Sequence, residues 1–223
     1  MNIPLTRYGL RELVLFPMIF ILLAVVFYVL LPGWRPWPQL LAFVLIIFVC
    51  AFFRDPPRHV LQEKNILLAP ADGKITDIIE MEETEYIKGR ARRIGIFLSV
   101  LDVHINRAPC EGQVEYIQER EGKCLNAMRA EAASEQNQSN TLGMLCLGHP
   151  AGKVMVKQIT GAIARRIVCA CRTGSKLEAG ERFGMIKFGS RTELFFPVDS
   201  RASIQVKAGD TVRAGQTVLV RYK

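Results

Sequence analysis

The sequence predicts a mainly β domain of the barrel-sandwich-hybrid kind, with small helical additions, preceded by an N-terminal membrane helical hairpin. Three observations carry this. Two charge-free apolar runs fill most of the first 53 residues. From about Asn65 onward the chain breaks into short β-patterned runs between glycine-containing turns. Near the C-terminus a strand–Ala-Gly-acid–strand rhythm occurs twice.

The apolar runs come first. Leu13 to Leu31 is nineteen residues without a charge, and Leu40 to Phe53 adds fourteen. A helix needs roughly twenty apolar residues to cross a bilayer, so the first run qualifies and the second is short. Trp34 and Trp37, in the bend GWRPW, suit a headgroup boundary. A cleaved signal peptide fits poorly, because the run exceeds a signal's apolar core and a second run follows at once. Arg7 and Arg11 precede the hairpin and Arg54, Arg58 and Lys64 follow it, against Arg35 alone in the bend. That asymmetry predicts a cell-membrane protein with both ends, and hence the downstream domain, on the cytoplasmic side.

Residues 1–53 are therefore read as the membrane anchor and 54–223 as the β-rich domain. FFRDPPRH, Phe52 to His59, marks the boundary, since its two prolines stop any helix. The predicted strands lie in Arg93–Val100, Gly112–Gln118, Thr141–Gly148, Lys153–Gly161, Arg165–Cys171 and Arg182–Phe188, with a last strand-rich run ending at Tyr222. The polar stretch Arg129 to Asn140 reads as a loop or short helix over a barrel mouth. So many strands with few helical patterns point to a compact, mainly antiparallel fold.

LEAGERFGMIKF (Leu177–Phe188) and VKAGDTVRAGQTVLV (Val206–Val220) carry the repeated rhythm, each with a glycine in a turn that favours positive φ. It resembles the hammerhead turns of biotinyl and lipoyl carriers. Those carriers present a lysine in an MKM or DKA-like setting, and no such tripeptide occurs here, so a carrier role is disfavoured.

The formal charge is +8. Lys88/Arg90/Arg92/Arg93 and Arg165/Arg166 suit a lipid phosphate and equally suit solvated strand ends. Nucleic-acid binding is disfavoured by the apolar N-terminus and the lack of a matching module. Six cysteines, Cys50, Cys110, Cys124, Cys146, Cys169 and Cys171, form no CxxC pair. On the cytoplasmic side reduced, mostly buried thiols are expected, and no metal site is argued.

One dipeptide stands out. Gly189-Ser190 sits inside FGSRTELFFP, between apolar β-like flanks. Such a step suits a self-cleaving bond: the Ser190 hydroxyl attacks the Gly189 carbonyl, and glycine lets the backbone bend to allow it. A β-bulge with a hydrogen-bonded serine is the plain alternative. A second pair, Gly174-Ser175, shows that the dipeptide alone decides nothing.

The wider sequence decides more. FFRDPPR, APADGKI, FLSVLDVHINRAPCEG, KQITGAIARRIV and GERFGMIKFGSRTELFFP occur in this order. Together they resemble the short bacterial and archaeal form of the phosphatidylserine decarboxylase family, over nearly all of the chain from Phe52 onward. The resemblance implies a proenzyme cut between Gly189 and Ser190 into a β chain, 1–189, and an α chain, 190–223, that stay associated. It also implies that Ser190 becomes a covalent pyruvoyl group, the cofactor, which forms a Schiff base with the amine of phosphatidylserine in the bilayer. The lipid is then decarboxylated to phosphatidylethanolamine, a step of phospholipid biosynthesis. A homo-oligomer is compatible with this reading.

In that family self-cleavage resembles serine-protease chemistry, with an Asp orienting a His that activates the Ser. Asp72 of PADG matches the Asp. His104 of DVHINR matches the first His of the DYHxxH run of longer members, and Arg107 stands where their second His would be. His104 is then left as base in cleavage and as proton donor in decarboxylation. Asp102 shares its strand face; His59 and His149 read as surface or structural residues. Two rivals remain from sequence alone: a pyruvoyl enzyme for a soluble amino acid, which would need no anchor, and a non-catalytic membrane-tethered adaptor.

Overall fold

The computed structural model describes residues 5–34, 36–122, 136–146, 149–161, 166–187 and 190–223. It divides into two compact units, Met1–Pro57 and Arg58–Lys223.

In the first unit a 3-10 turn, Arg7–Gly9, leads into helix α1, Leu10–Leu30. Thr6 caps the turn by accepting a hydrogen bond from the Tyr8 amide at 3.2 Å. At about 1.5 Å per residue α1 is roughly 30 Å long, the thickness of a bilayer's hydrocarbon core. The segment Arg7–Leu30 is long and apolar enough to cross a membrane. Helix α2, Trp37–Phe52, starts with Pro38 in its first turn, where a missing N–H costs nothing, and spans 16 residues. It is too short for the same span, as its sequence predicts. Met18, Leu22 and Val29 of α1 and Leu41 and Phe43 of α2 are each more than half exposed. An apolar surface of this extent fits a lipid environment.

The second unit is mainly β. Its strands are β1 Ile66–Leu68, β2 Gly73–Glu83, β3 Gly89–Leu98, β4 Ile105–Arg107, β5 Gly112–Arg120, β6 Ser139–Leu145 and β7 Lys153–Thr160. They continue as β8 Arg166–Cys169, β9 Lys176–Leu177, β10 Arg182–Lys187, β11 Ser190–Pro197, β12 Ala202–Ile204, β13 Thr211–Val212 and β14 Val218–Tyr222. The main sheet is curled and runs β13-β2-β3-β11-β7-β6-β5-β9; two three-stranded sheets, β1-β14-β12 and β4-β10-β8, complete the unit.

Side chains alternate across a strand, and this sorts β11 into two faces. Leu194 and Phe196 join the core with Ile94, Ile96 and Leu98 of β3, Leu142 and Met144 of β6, and Val154 and Val156 of β7. Ser190 and Thr192 therefore look toward the core as well, while Arg191, Glu193 and Phe195 look the other way. The turn glycines of the repeated rhythm, Gly180 and Gly209, have φ of +73° and +97°, as their sequence setting predicts.

Three expectations need correction. Strand β2, the longest, was not among the predicted runs. Ser139 and Asn140, placed by sequence in a loop or short helix, instead open β6; residues 129–135 of that stretch lie outside the described residues. The thiols are not all reduced, because Cys110 and Cys146 form a disulfide. The antiparallel pairing of β5 with β6, which sets Gln113 opposite Leu145, brings these two buried cysteines together. Cys50, Cys169 and Cys171 are free thiols, and Cys124 lies outside the described residues.

Candidate active site

Ser190 is the first residue of β11, opposite Leu98 of β3 on one side and Thr160 of β7 on the other. It is fully buried, and its Oγ has no hydrogen-bond partner among the described residues. A buried, unsatisfied hydroxyl costs on the order of 1–3 kcal/mol, so its persistence calls for a chemical reason. Phe188 and Gly189, the acyl side of the step, lie outside the described residues. Ser175, of the other Gly-Ser pair, sits in a turn, where its Oγ accepts from the Arg172 amide at 3.0 Å.

His104 is also fully buried. The Asp102 carboxylate caps the preceding turn by accepting from the Ser99 amide at 2.8 Å. His104 Nδ1 lies 2.9 Å from the Asp102 carbonyl oxygen. A carbonyl only accepts, so Nδ1 carries the proton in the neutral ring and Nε2 is the basic nitrogen. The His104 carbonyl accepts from the Ile186 amide at 3.2 Å, while Asn106 lies opposite Gly184. Along β10, His104 is thus two steps nearer to Ser190 than Asn106 is.

Asp72 lies in the loop between β1 and β2. Its Oδ2 accepts from Arg58 Nη2 at 2.6 Å and its Oδ1 from the Ala214 amide at 2.8 Å. His104 is not among its partners; the orienting group on His104 Nδ1 is the main chain of Asp102. The loop still reaches the His104 strand, because the Pro70 carbonyl accepts from the Arg107 amide at 2.9 Å. Arg107 itself donates to the Gly180 carbonyl at 3.0 Å, a structural tie at the position of the second family histidine. His59 is exposed. His149 is partly buried, bonded to the Ile66 carbonyl and edge-on to Tyr222. Burial pushes its pKa below the ordinary value, partly offset by the Ile66 hydrogen bond.

A row of carboxamides, missed from sequence, joins the strands of His104 and Ser190. Asn140 Nδ2 donates to Gln158 Oε1 at 2.8 Å, Gln158 Nε2 to Asn106 Oδ1 at 2.8 Å, and Asn106 Nδ2 to Thr192 Oγ1 at 3.0 Å. All four residues are buried. Asn106 follows His104 by two and Thr192 follows Ser190 by two, so each shares a face with its candidate site residue. That spacing was the available signal. The polar row runs between β6 and β11, next to the unpartnered Ser190 hydroxyl.

The first basic run is partly paired, with only Arg93 buried; Arg166 of the second is exposed, and Arg165 lies outside the described residues. Arg90 and Arg92 pair with Glu80, and Arg93 pairs with Asp77 and Glu193. Among the described residues no group of three or more His, Cys, Asp and Glu side chains is arranged to hold a metal ion.

The family model for phosphatidylserine decarboxylase matches residues 45–220. The chain is 43% identical to a phosphatidylserine decarboxylase proenzyme of Rhodopirellula baltica, over all of this chain and 90% of that one. It is 46% identical to one from Carboxydothermus hydrogenoformans, over 84% of this chain and 85% of the relative, and 45% identical to one from Salinibacter ruber over a similar share. With a match over most of the β unit and relatives aligned along nearly their whole length, the chain belongs to the phosphatidylserine decarboxylase family.

Proposed function

We propose that this decarboxylase matures by cutting itself between Gly189 and Ser190, and that the cut enzyme converts phosphatidylserine to phosphatidylethanolamine and CO2 at the cytoplasmic face of a membrane. The observation that carries the reading is Ser190 Oγ: fully buried, without a hydrogen-bond partner among the described residues, and beside a polar row in an otherwise apolar core. A hydroxyl kept for attack on its own peptide bond would be held in this state.

In the cut, Ser190 Oγ gives up its proton as it bonds to the Gly189 carbonyl carbon, and the amide becomes an ester. Nε2 of His104 is the base suited to that proton, since Nδ1 is committed to Asp102. Loss of the Ser190 α-proton then breaks the ester, leaving Gly189 with a carboxylate. Water replaces the nitrogen at residue 190, releasing ammonia. Ser190 fits the role of precursor to a pyruvoyl group because its side chain is sequestered yet uncommitted. Such a group supplies a ketone that condenses with an amine and accepts the electron pair released with CO2.

The chain's own residues would do the rest. His104 would return a proton to the carbon that loses CO2. The apolar side chains around Ser190, among them Leu98, exclude water and so disfavour the charged carboxylate relative to neutral CO2. The pieces would stay together after the cut: β11 lies between β3 and β7, and β14 lies between β1 and β12. Residues 1–53 would serve as the anchor that brings the site to a bilayer substrate.

Intact-mass measurement of the purified protein tests the reading. The expected result is two chains, 1–189 and 190–223, the smaller lighter than its serine-terminated form by one ammonia and reactive toward a hydrazide. Ser190→Ala should give one uncut chain and Ser175→Ala two. A folded, active wild-type protein of a single mass would overturn the proposal.

A further inference from the structure

Behind Ser190, on the opposite face of β11, lies a ring of charges, buried apart from the partly exposed Asp77, whose members take no chemical part in cleavage or decarboxylation. Arg191 is fully buried. Its Nε donates to Glu193 Oε1 at 2.8 Å, its Nη1 to Thr76 Oγ1 at 2.6 Å and its Nη2 to Asp77 Oδ2 at 2.6 Å. Arg93 closes the ring, 3.1 Å from Asp77 Oδ1 and 3.6 Å from Glu193 Oε1. Two arginines face two carboxylates, and Lys157, opposite Glu193 on β7, adds a third cation beside them. Burial alone would raise the Asp77 pKa, but the Thr76 and Arg191 hydrogen bonds and the Arg191 and Arg93 charges hold it below the ordinary value.

The geometry of the reach is unusual. Arg191 is on β11 and Thr76 and Asp77 are on β2, with β3 between them. The guanidinium crosses β3 over Gly95, where a methyl group would collide with both Arg191 and Asp77. The register of β2 on β3 shifts between Ile75 and Asp77, a bulge at Thr76 that turns these two side chains toward the arriving arginine. Missing side chain, bulge and buried arginine serve one contact.

The contact also spans the proposed cut. Thr76, Asp77, Arg93 and Gly95 belong to residues 1–189, whereas Arg191 is the second residue of 190–223. A chain end normally frays. To fray here, the new end would have to break three charge-assisted hydrogen bonds and leave the Asp77 and Glu193 carboxylates with Arg93 alone. Resting on the cleavage reading above, we propose that Arg191 is a positioning residue: it pins the new N-terminus of the 190–223 chain to β2, holding position 190 in place once its peptide bond is gone.

A clamp of this kind matters most after cutting, and that separates it from an ordinary internal ion pair. Arg191→Met is made in the full-length chain and in the uncut Ser190→Ala background, and the thermal midpoint of each is compared with its parent in detergent. The expected result is a larger drop in the cut protein than in the uncut one. In the cut protein we also expect roughly a tenfold or greater loss of kcat on phosphatidylserine with KM nearly unchanged, the mark of a misplaced reacting group. Arg191→Lys, which keeps the charge but not the fork, should recover only part of the loss.

If Arg191→Met does not fold even uncut, Thr76→Val carries the same comparison, since it removes one anchor and keeps the shape. Equal midpoint losses in the two backgrounds, or an unchanged kcat, would overturn the clamp while leaving the cleavage reading intact. A wild-type protein that never cuts would overturn both, and the mass of the parent shows this before any variant is made.

Discussion

Arg58 Nη2 and Asp72 Oδ2 are 2.6 Å apart, with about a tenth of either side chain open to solvent. The pair fastens the first residue of the β unit to the loop that follows β1. The second carboxylate oxygen of Asp72 binds the Ala214 amide, and Arg58 Nη1 donates to Gln216 Oε1 at 3.0 Å. Asp72 is thus the meeting point of three segments. Through Pro70 the same loop supports Arg107, three residues after His104.

On the proposed reading, Asp72 would act on His104 at a distance, by fixing the loop under β4. Arg58→Met should then reproduce most of the effect of Asp72→Asn, because either change leaves the partner without its counter-ion. Breaking a buried pair costs about 3 kcal/mol. Self-cutting, followed on a denaturing gel after synthesis, should slow by a similar factor in both variants. Rapid cutting by Arg58→Met beside a blocked Asp72→Asn would instead assign Asp72 a direct chemical part.

How far could the sequence alone have led here? His104 and Ser190 sit in ordered motifs, so both could be named as candidates, and the apolar run Leu194–Phe196 marked β11 as a strand. Strand β2 was not, because GKITDIIEMEE is partly exposed on both faces along its outer half and so lacks an apolar–polar alternation. Gln158 is one polar residue in a β-like run, and its partners are 18 and 52 residues away. Nothing next to Arg191 in the sequence points to its partners. Its burial depends on a glycine in β3 and a bulge in β2, pairings that only the folded sheet creates. The Cys110–Cys146 bond, 36 residues apart, had no local signature either.

The carboxamide row makes its own prediction. Gln158 both donates to Asn106 and accepts from Asn140. Gln158→Leu keeps the volume but strands two buried polar groups, at roughly 2 kcal/mol or more. Asn106 is then released from one side, and with it the strand face that carries His104. Cutting and turnover should both slow, more than the lost stability explains. Normal rates in a merely less stable Gln158→Leu protein would make the row a purely structural device.

His149 supplies a pH test. In the neutral ring Nδ1 accepts from the Ala151 amide and Nε2 donates to the Ile66 carbonyl, so protonation would cost the first bond. Burial holds its folded pKa below the ordinary value of about 6.5. In the window between that value and the lower folded one, the unfolded chain binds more protons, so stability rises with pH there. The contribution is complete above about pH 6.5 and is lost as the pH falls through the window. The thermal midpoint of the wild type should drop on mild acidification, and His149→Gln should flatten that part of the curve. An equally steep curve in His149→Gln would place the responsible group elsewhere.

The last prediction joins anchor and substrate. The described β unit contains His104, Ser190 and the polar row, and its core is made from its own strands. Deleting residues 1–53 should therefore leave self-cutting intact and yield a protein less dependent on detergent. Turnover should divide by substrate. With a short-chain phosphatidylserine dissolved as monomers, the truncated enzyme should act about as fast as the full-length one. With vesicles it should fall by about tenfold or more, because the anchor holds the site at a high effective concentration of lipid. Free serine offers the reacting amine and carboxylate but none of the remote binding energy of glycerophosphate and acyl chains, so it should be turned over poorly by both forms. Carbon dioxide release from the three substrates measures all of this in one assay. Equal rates on vesicles with and without residues 1–53 would remove the anchor from substrate capture, and free serine matching the lipid would make the soluble amino acid the substrate.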